Sequence, residues 1–175
     1  MNIIRIHDIA EHEGEEVTLR GWVHKRTGKG KLAFLLIRDG SGFAQCVAFK
    51  GDLDEETFET ISHIPQESSV IITGTIRKDD RAPGLPGGFE LGVSALNVVQ
   101  SAALDYPMAL KEHGADFALD NRHFWIRMQS QWAILRIRAT IISAVREWLD
   151  NNGFTLMDTP ILTPAAAEGT TTLFE

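Results

Sequence analysis

A phenyl ring and a carboxamide brought together by one tight turn are the first chemistry this sequence offers. Asp39-Gly40-Ser41-Gly42 predicts a hairpin with Arg38 opposite Phe43, which sets Leu36 across from Gln45 and Phe34 across from Val47. Phe34 and Gln45 then share a face as diagonal neighbours. A ring in that position can stack on an unpaired base while the amide beside it reads the base's edge. Charge gives the second signal. Between Arg20 and Arg38 there are six bases (Arg20, Lys25, Arg26, Lys29, Lys31, Arg38) and no acid, whereas the rest of the first 102 residues carries five bases and fifteen acids. A local basic stripe on an acidic background is what phosphate contact leaves in a sequence. Both features have plainer readings: a strand Phe also suits a core, and a Lys-Gly run also suits a solvated hairpin tip.

Other motifs carry less. Gly28-Lys29-Gly30-Lys31 lacks the spacing of a phosphate-binding loop, and the glycines from Gly84 to Gly92 lie between strands with no helix N-terminus to receive a phosphate. Cys46 sits in a predicted strand and suits a core better than a nucleophile. The six His residues show no metal-ligand spacing, and no Ser-His-Asp or paired-carboxylate arrangement emerges.

The whole chain bounds these options. It has 175 residues, 43 % hydrophobic and 23 % charged, with 17 Lys and Arg against 24 Asp and Glu for a net charge of −7. That composition is globular and excludes disorder, collagen and a coiled-coil rod. A net acidic protein needs a local basic patch to hold nucleic acid. One cysteine excludes an internal disulfide. The N-terminus becomes acidic too early for a signal peptide, and no apolar run approaches the roughly 18 residues of a membrane span. The expectation is a soluble, cytoplasmic protein without a membrane partner.

Two periods divide the chain. Residues 1–102 read as strands: Val17 to Lys25 alternates, Leu32 to Arg38 is apolar on both faces, Phe43 to Phe49 returns, and Ser69 to Arg77 and Phe89 to Val99 complete the set. A short helix is predicted over 52–64 and a long loop over 78–88. Five strands with one helix between the third and fourth predict an all-β OB-fold, a five-stranded Greek-key barrel, with another small β-barrel as the alternative. Residues 103–128 read as a linker with a turn of helix near 107–113. From Gln129 to Asn152 the period turns helical, with Ile134, Ile137, Ile141, Val145 and Trp148 on one stripe. Phe154 to Thr163 reads as a strand interrupted by Pro160, which suits an edge or an interface. Residues 129–175 therefore look like the incomplete start of a second, α+β domain.

The residues quoted also form a resemblance. Val17 to Phe49 resembles the anticodon-binding domain of class IIb aminoacyl-tRNA synthetases, the group of aspartyl, asparaginyl and lysyl enzymes. LDNRHFWIR, from Leu119 to Arg127, resembles the entry to the catalytic domain in the asparaginyl branch, and Arg122-His123 and Trp125 favour that branch over the aspartyl one. The helix from Gln129 and the strand with Pro160 resemble motif 1, the dimer-forming element. AEGTTTLF, from Ala167 to Phe174, resembles the flipping loop.

The resemblance implies roles. Phe34 would stack on the central anticodon uridine, Gln45 would read it, Lys25 and Arg26 would hold the anticodon backbone, and Glu90 would help to read the anticodon. Glu168 would meet the amino group of the amino-acid substrate, and Pro160 would lie at a homodimer interface. A full-length parent would use ATP and Mg²⁺ to activate asparagine and attach it to tRNA. Motifs 2 and 3 are not in these 175 residues, so the stretch itself is expected to bind the anticodon, to bind no cofactor and to be inactive. The alternatives are the same portion of an aspartyl enzyme, including one that charges both tRNAs, and a stand-alone OB-fold RNA-binding module.

Overall fold

The computed structural model describes residues 2–161. The chain divides into two compact units, Met1–Glu112 and His113–Glu175.

In the first unit, β1 (Glu16–Lys29) pairs antiparallel with β2 (Leu32–Arg38) and with β4 (Ser69–Lys78). β2 pairs antiparallel with β3 (Phe43–Phe49), and β4 with β6 (Phe89–Gln100). The parallel pairing of β3 with β6 closes the barrel, so the expected OB-fold is the fold observed. Alternation explains the core. Val17, Leu19 and Val23 of β1, Ala33, Leu35 and Ile37 of β2, and Ala44, Cys46 and Ala48 of β3 all point inward and are buried. Full burial of such aliphatic side chains is worth roughly 1.5–3 kcal/mol each. Gly21 lets β1 and β2 approach, because a Cβ there would lie 2.3 Å from the Arg38 carbonyl oxygen.

Helix α1 (Glu55–His63) lies between β3 and β4 in sequence and buries Phe58 and Ile61. Asp54 caps it, accepting hydrogen bonds from the Thr57 backbone N–H at 2.8 Å and the Thr57 hydroxyl at 2.7 Å. Two short features were not expected. Ile6–His12 forms a 3-10 turn whose Ile6 and Ile9 are fully buried. Within the loop expected over 78–88, β5 (Gly84–Leu85) pairs with Ala44 and Phe43.

In the second unit, α2 (Ala115–Asp120) and α3 (Arg122–Trp125) precede α4 (Gln129–Asn151). The turn of helix expected at 107–113, nearly all of it in the first unit, is absent. Met108 is instead buried and its carbonyl accepts from Gln66 Nε2 at 3.3 Å, so a tertiary contact overrides the local helical tendency. The 23 residues of α4 span about 34 Å at 1.5 Å per residue. Its stripe of Ile134, Ile137, Ile141, Val145 and Trp148 is 53–61 % exposed. Gly153, at φ +82°, ends the helix in the left-handed region. Residues 154–161, expected as a strand, pair with no strand among the described residues, and a strand needs a ladder partner to form. Pro160 lies exposed in that stretch, and Glu168 lies outside the described residues.

Candidate nucleic-acid interface

One row of register partners runs around the outside of the barrel. Lys25 on β1 pairs with Leu36 on β2, Leu36 with Gln45 on β3, Gln45 with Glu90 on β6, and Glu90 with Arg77 on β4. The adjoining row is Thr27, Phe34, Val47, Gly92 and Thr75, paired in the same order. Phe34 and Gln45 are therefore the diagonal neighbours that the hairpin turn requires. Phe34, Leu36, Gln45, Val47 and Glu90 are each half-buried, while the residues between them in sequence point into the core. The face is an apolar floor with an amide and a carboxylate at one side.

Gln45 Nε2 donates to Glu90 Oε2 at 3.1 Å. That bond holds the amide in one orientation and leaves its oxygen and second N–H for a partner. Two cations flank the floor. Lys25 stands exposed at the β1 end of the row, and Arg77 at the β4 end, its guanidinium against Gly92, where a Cβ would meet Cζ at 3.1 Å. Sequence reasoning missed Arg77. Its only signal was a base at the end of an apolar strand, which becomes meaningful once β4 is known to adjoin β6.

Lys25 reaches this face through a β-bulge. Val23 pairs with Ile37 and Lys25 with Leu36, so His24 is the extra residue and reverses the inside–outside parity of β1. Simple alternation from Val23 would have turned Lys25 inward. Arg26 pairs with Leu35, whose side chain faces the core, and so emerges on the other side from Lys25. Its guanidinium donates to the Ser62 carbonyl on α1. With Lys25, His24, His63 and Gln66 it lines a cavity of about 380 Å³. The structure thus brings Lys25, Phe34, Gln45 and Glu90 to one face and puts Arg26 on the adjoining surface, where Lys25 also borders the cavity.

The basic stripe thins in three dimensions. Arg38 forms an ion pair with Glu67, with side chains only 12 % and 8 % exposed, and its guanidinium lies 5.4 Å from the Trp22 ring centroid. Burial, with Arg38 and Lys25 nearby, lowers the His24 pKa against the opposing pull of Glu67, and its ring packs edge-on against Phe43 at 5.0 Å. Lys25, Lys29 and Lys31 stay exposed.

The turn that sets the register is built on Asp39. Its Oδ1 accepts from the Ser41 and Gly42 backbone N–H groups at 2.7 and 2.9 Å and from the Ser41 hydroxyl at 2.6 Å. Its Oδ2 accepts from the Ile6 N–H at 3.0 Å, tying the 3-10 turn to the hairpin. Burial alone would raise this carboxyl's pKa, but these hydrogen bonds outweigh it and hold the value below the usual range. Burial, and then Glu90, push the Cys46 thiol up, so it is an inert core group.

Comparisons with known proteins agree with this fold. Residues 17–99 match the family model for the OB-fold nucleic acid binding domain, and residues 114–175 match tRNA synthetases class II (D, K and N). The asparagine–tRNA ligase of Roseiflexus castenholzii is 54 % identical over 97 % of this chain and 38 % of its own length. That of Chloroflexus aurantiacus is 53 % identical over 95 % and 37 %. Asparaginyl-tRNA synthetase from Pyrococcus horikoshii, solved with asparaginyl-adenylate, superposes with a TM-score of 0.83 at 38 % identity, covering 98 % of this chain and 39 % of its own. Aspartyl-tRNA synthetase from Entamoeba histolytica gives 0.79 at 25 % identity, covering 95 % and 41 %. The fold and the two matches define the class: an OB-fold anticodon-binding domain followed by the start of a class II tRNA synthetase catalytic domain. Within it, the chain is homologous to the N-terminal portion of asparagine–tRNA ligases and spans about two fifths of their length.

Proposed function

We propose that the outer face of the barrel binds a tRNA anticodon with a central uridine. The continuous row Lys25–Leu36–Gln45–Glu90–Arg77, with Phe34 beside it, carries this reading. The phenyl ring supplies a stacking surface. The Gln45 oxygen and its remaining N–H match an adjacent donor and acceptor, the pattern on a uracil edge. Glu90 fixes that amide and adds an acceptor for a neighbouring base. Lys25 and Arg77 stand where a backbone would pass on either side, and Arg26 would meet phosphate only on the adjoining surface.

The longer protein, on this reading, activates asparagine with ATP and transfers it to tRNA. Identity of 53–54 % to asparagine–tRNA ligases, against 25 % to the aspartyl enzyme of Entamoeba histolytica, supports asparagine over aspartate. ATP is the family's energy source and Mg²⁺ its companion; no group of three or more metal-ligating side chains occurs among the described residues, and no step is assigned to them. Residues 1–102 would be the binding domain, 103–128 the hinge, and 129–175 the beginning of catalysis, with Glu168 meeting the substrate amino group. Homodimerisation through α4 and the stretch with Pro160 would cover the exposed Ile134–Trp148 stripe. Cytoplasmic residence goes with this role, and no helix among the described residues is long and apolar enough to cross a membrane.

Two measurements test the proposal. The 175-residue chain should bind an anticodon stem-loop with a central uridine more tightly than one with a central cytidine. Equal affinity for both would overturn the anticodon reading. Asparagine-dependent ATP–pyrophosphate exchange by the full-length protein tests the activity, and exchange supported by aspartate instead would overturn the choice of amino acid.

A further inference from the structure

Beyond Phe34, a second aromatic ring faces outward on the same sheet. Phe49, at the end of β3, pairs with Leu32 at the start of β2, and the two are 40 % and 39 % exposed. Alternation puts both on the Phe34–Gln45 side, since Val47 lies two residues before Phe49 and opposite Phe34. Phe49 therefore stands diagonally from Phe34 on one side as Gln45 does on the other, at a separation of about 7–8 Å. It is not among the residues of the buried core or those packed against it.

The ring lies against Gly51. A Cβ on Gly51 would lie 2.5 Å from Phe49 Cε1 and 3.2 Å from both Cδ1 and Cζ, so the ring rests against a residue that has no side chain to displace it. Cations gather at the same end. Lys29 pairs with Leu32, and the Lys50 N–H donates to the Lys31 carbonyl at 2.9 Å, fastening the tip of the β1–β2 hairpin beside Phe49. Lys29 and Lys31 are exposed; Lys50 lies 3.5 Å from Glu55 and 6.0 Å from the Phe58 ring centroid. An exposed aromatic ring among lysines, one diagonal step from another, has the form of a single-strand stacking track.

We propose that Phe49 is a second stacking platform, taking the nucleobase next to the one that lies over Phe34, with Lys29 and Lys31 against the phosphate between them. This rests on the anticodon reading of the Phe34 face and extends it from one base to two. A ring stacks on any base, so Phe49 would add affinity and order to the loop without adding base preference.

The test uses the 175-residue chain and an anticodon stem-loop RNA with a central uridine. Phe49→Ala should weaken binding about 5- to 150-fold, the range for loss of one stacked base, and Phe49→Tyr, which keeps a ring, should restore it. Placing an abasic nucleotide on each side of the central uridine locates the contact. At one of these positions the abasic change should weaken the wild type but add nothing to Phe49→Ala. Unchanged binding by Phe49→Ala alongside a loss in Phe34→Ala would overturn this proposal alone. Full additivity of Phe49→Ala with both abasic positions would also overturn it. If Phe34→Ala too bound as wild type, the anticodon reading itself would fall.

Discussion

Glu90 sits beside Gln45 across the parallel β3–β6 pairing, and its carboxylate accepts the Gln45 amide hydrogen at 3.1 Å although 45 residues separate them in the chain. The residue that would read a base is thus oriented by one that arrives on a different strand. Replacing Glu90 with Leu should free the amide to rotate. Discrimination between central uridine and central cytidine should fall by about 0.5–1.5 kcal/mol, the net worth of one hydrogen bond. Titrations of both stem-loops against wild type and variant measure it; undiminished discrimination would show that Gln45 needs no help from Glu90.

Phe34→Ala should weaken stem-loop binding by about 1–3 kcal/mol through loss of one stacked base. Because the ring is half-buried on the outer face, its removal should destabilise the barrel by less than the 3–5 kcal/mol typical of a core phenylalanine. Thermal melts beside the titrations separate the two effects. A core-sized stability loss with unchanged affinity would place Phe34 among the packing residues.

Lys25 and Arg26, adjacent in sequence, should behave differently. Lys25→Ala should weaken all RNAs alike and reduce the salt slope of binding by about 1, as loss of one phosphate contact requires. Arg77→Ala should do the same from the opposite end of the row. Arg26→Ala should leave that slope near the wild-type value, because its guanidinium is engaged by the Ser62 carbonyl on the other side. Equal slope changes for Lys25 and Arg26 would mean that the RNA also covers the Ser62 side.

Asp39 should give the barrel an acid-sensitive component. Its folded-state pKa lies below the unfolded one because the hydrogen bonds from Ser41, Ile6 and Gly42 favour the charged form over the cost of burial. That stabilisation is complete above the unfolded value of about 3.9 and is lost as pH falls through the folded one. Denaturant melts at descending pH should therefore show a steeper acid decline for wild type than for Asp39→Asn. Identical acid limbs would show that Asp39 contributes no pH-linked stability.

The barrel was legible in the sequence where local chemistry fixes geometry. Asp39 and its turn set the β2–β3 register, and from that alone Phe34 and Gln45 fall on one face. What escaped was non-local or locally irregular. No pattern within β1 announces that His24 is a bulge, although the polar run His24-Lys25-Arg26 marks where alternation fails. Ile6 and Ile9 carry a three-residue spacing, but a single short turn is too brief for periodicity to assert itself, and its anchor to Asp39 lies 33 residues away. Arg77 had no visible partners until β4 and β6 were placed side by side. Met108 shows the reverse case, where burial cancels a helical tendency that the local sequence supports.

The parallel closure of the barrel also has a consequence in time. Until residues 89–100 are available, β3 lacks its parallel neighbour and β4 the second of its two antiparallel ones, so Gln45 has no Glu90 to orient it and Arg77 no row to end. Pairings between such distant segments are the slow part of folding. A growing polypeptide on the ribosome therefore carries Phe34 and Gln45 long before the row they belong to is complete. If the outer face binds an anticodon as proposed, incomplete copies, whether still being synthesised or clipped within β6, would not compete for tRNA with molecules whose barrel has closed.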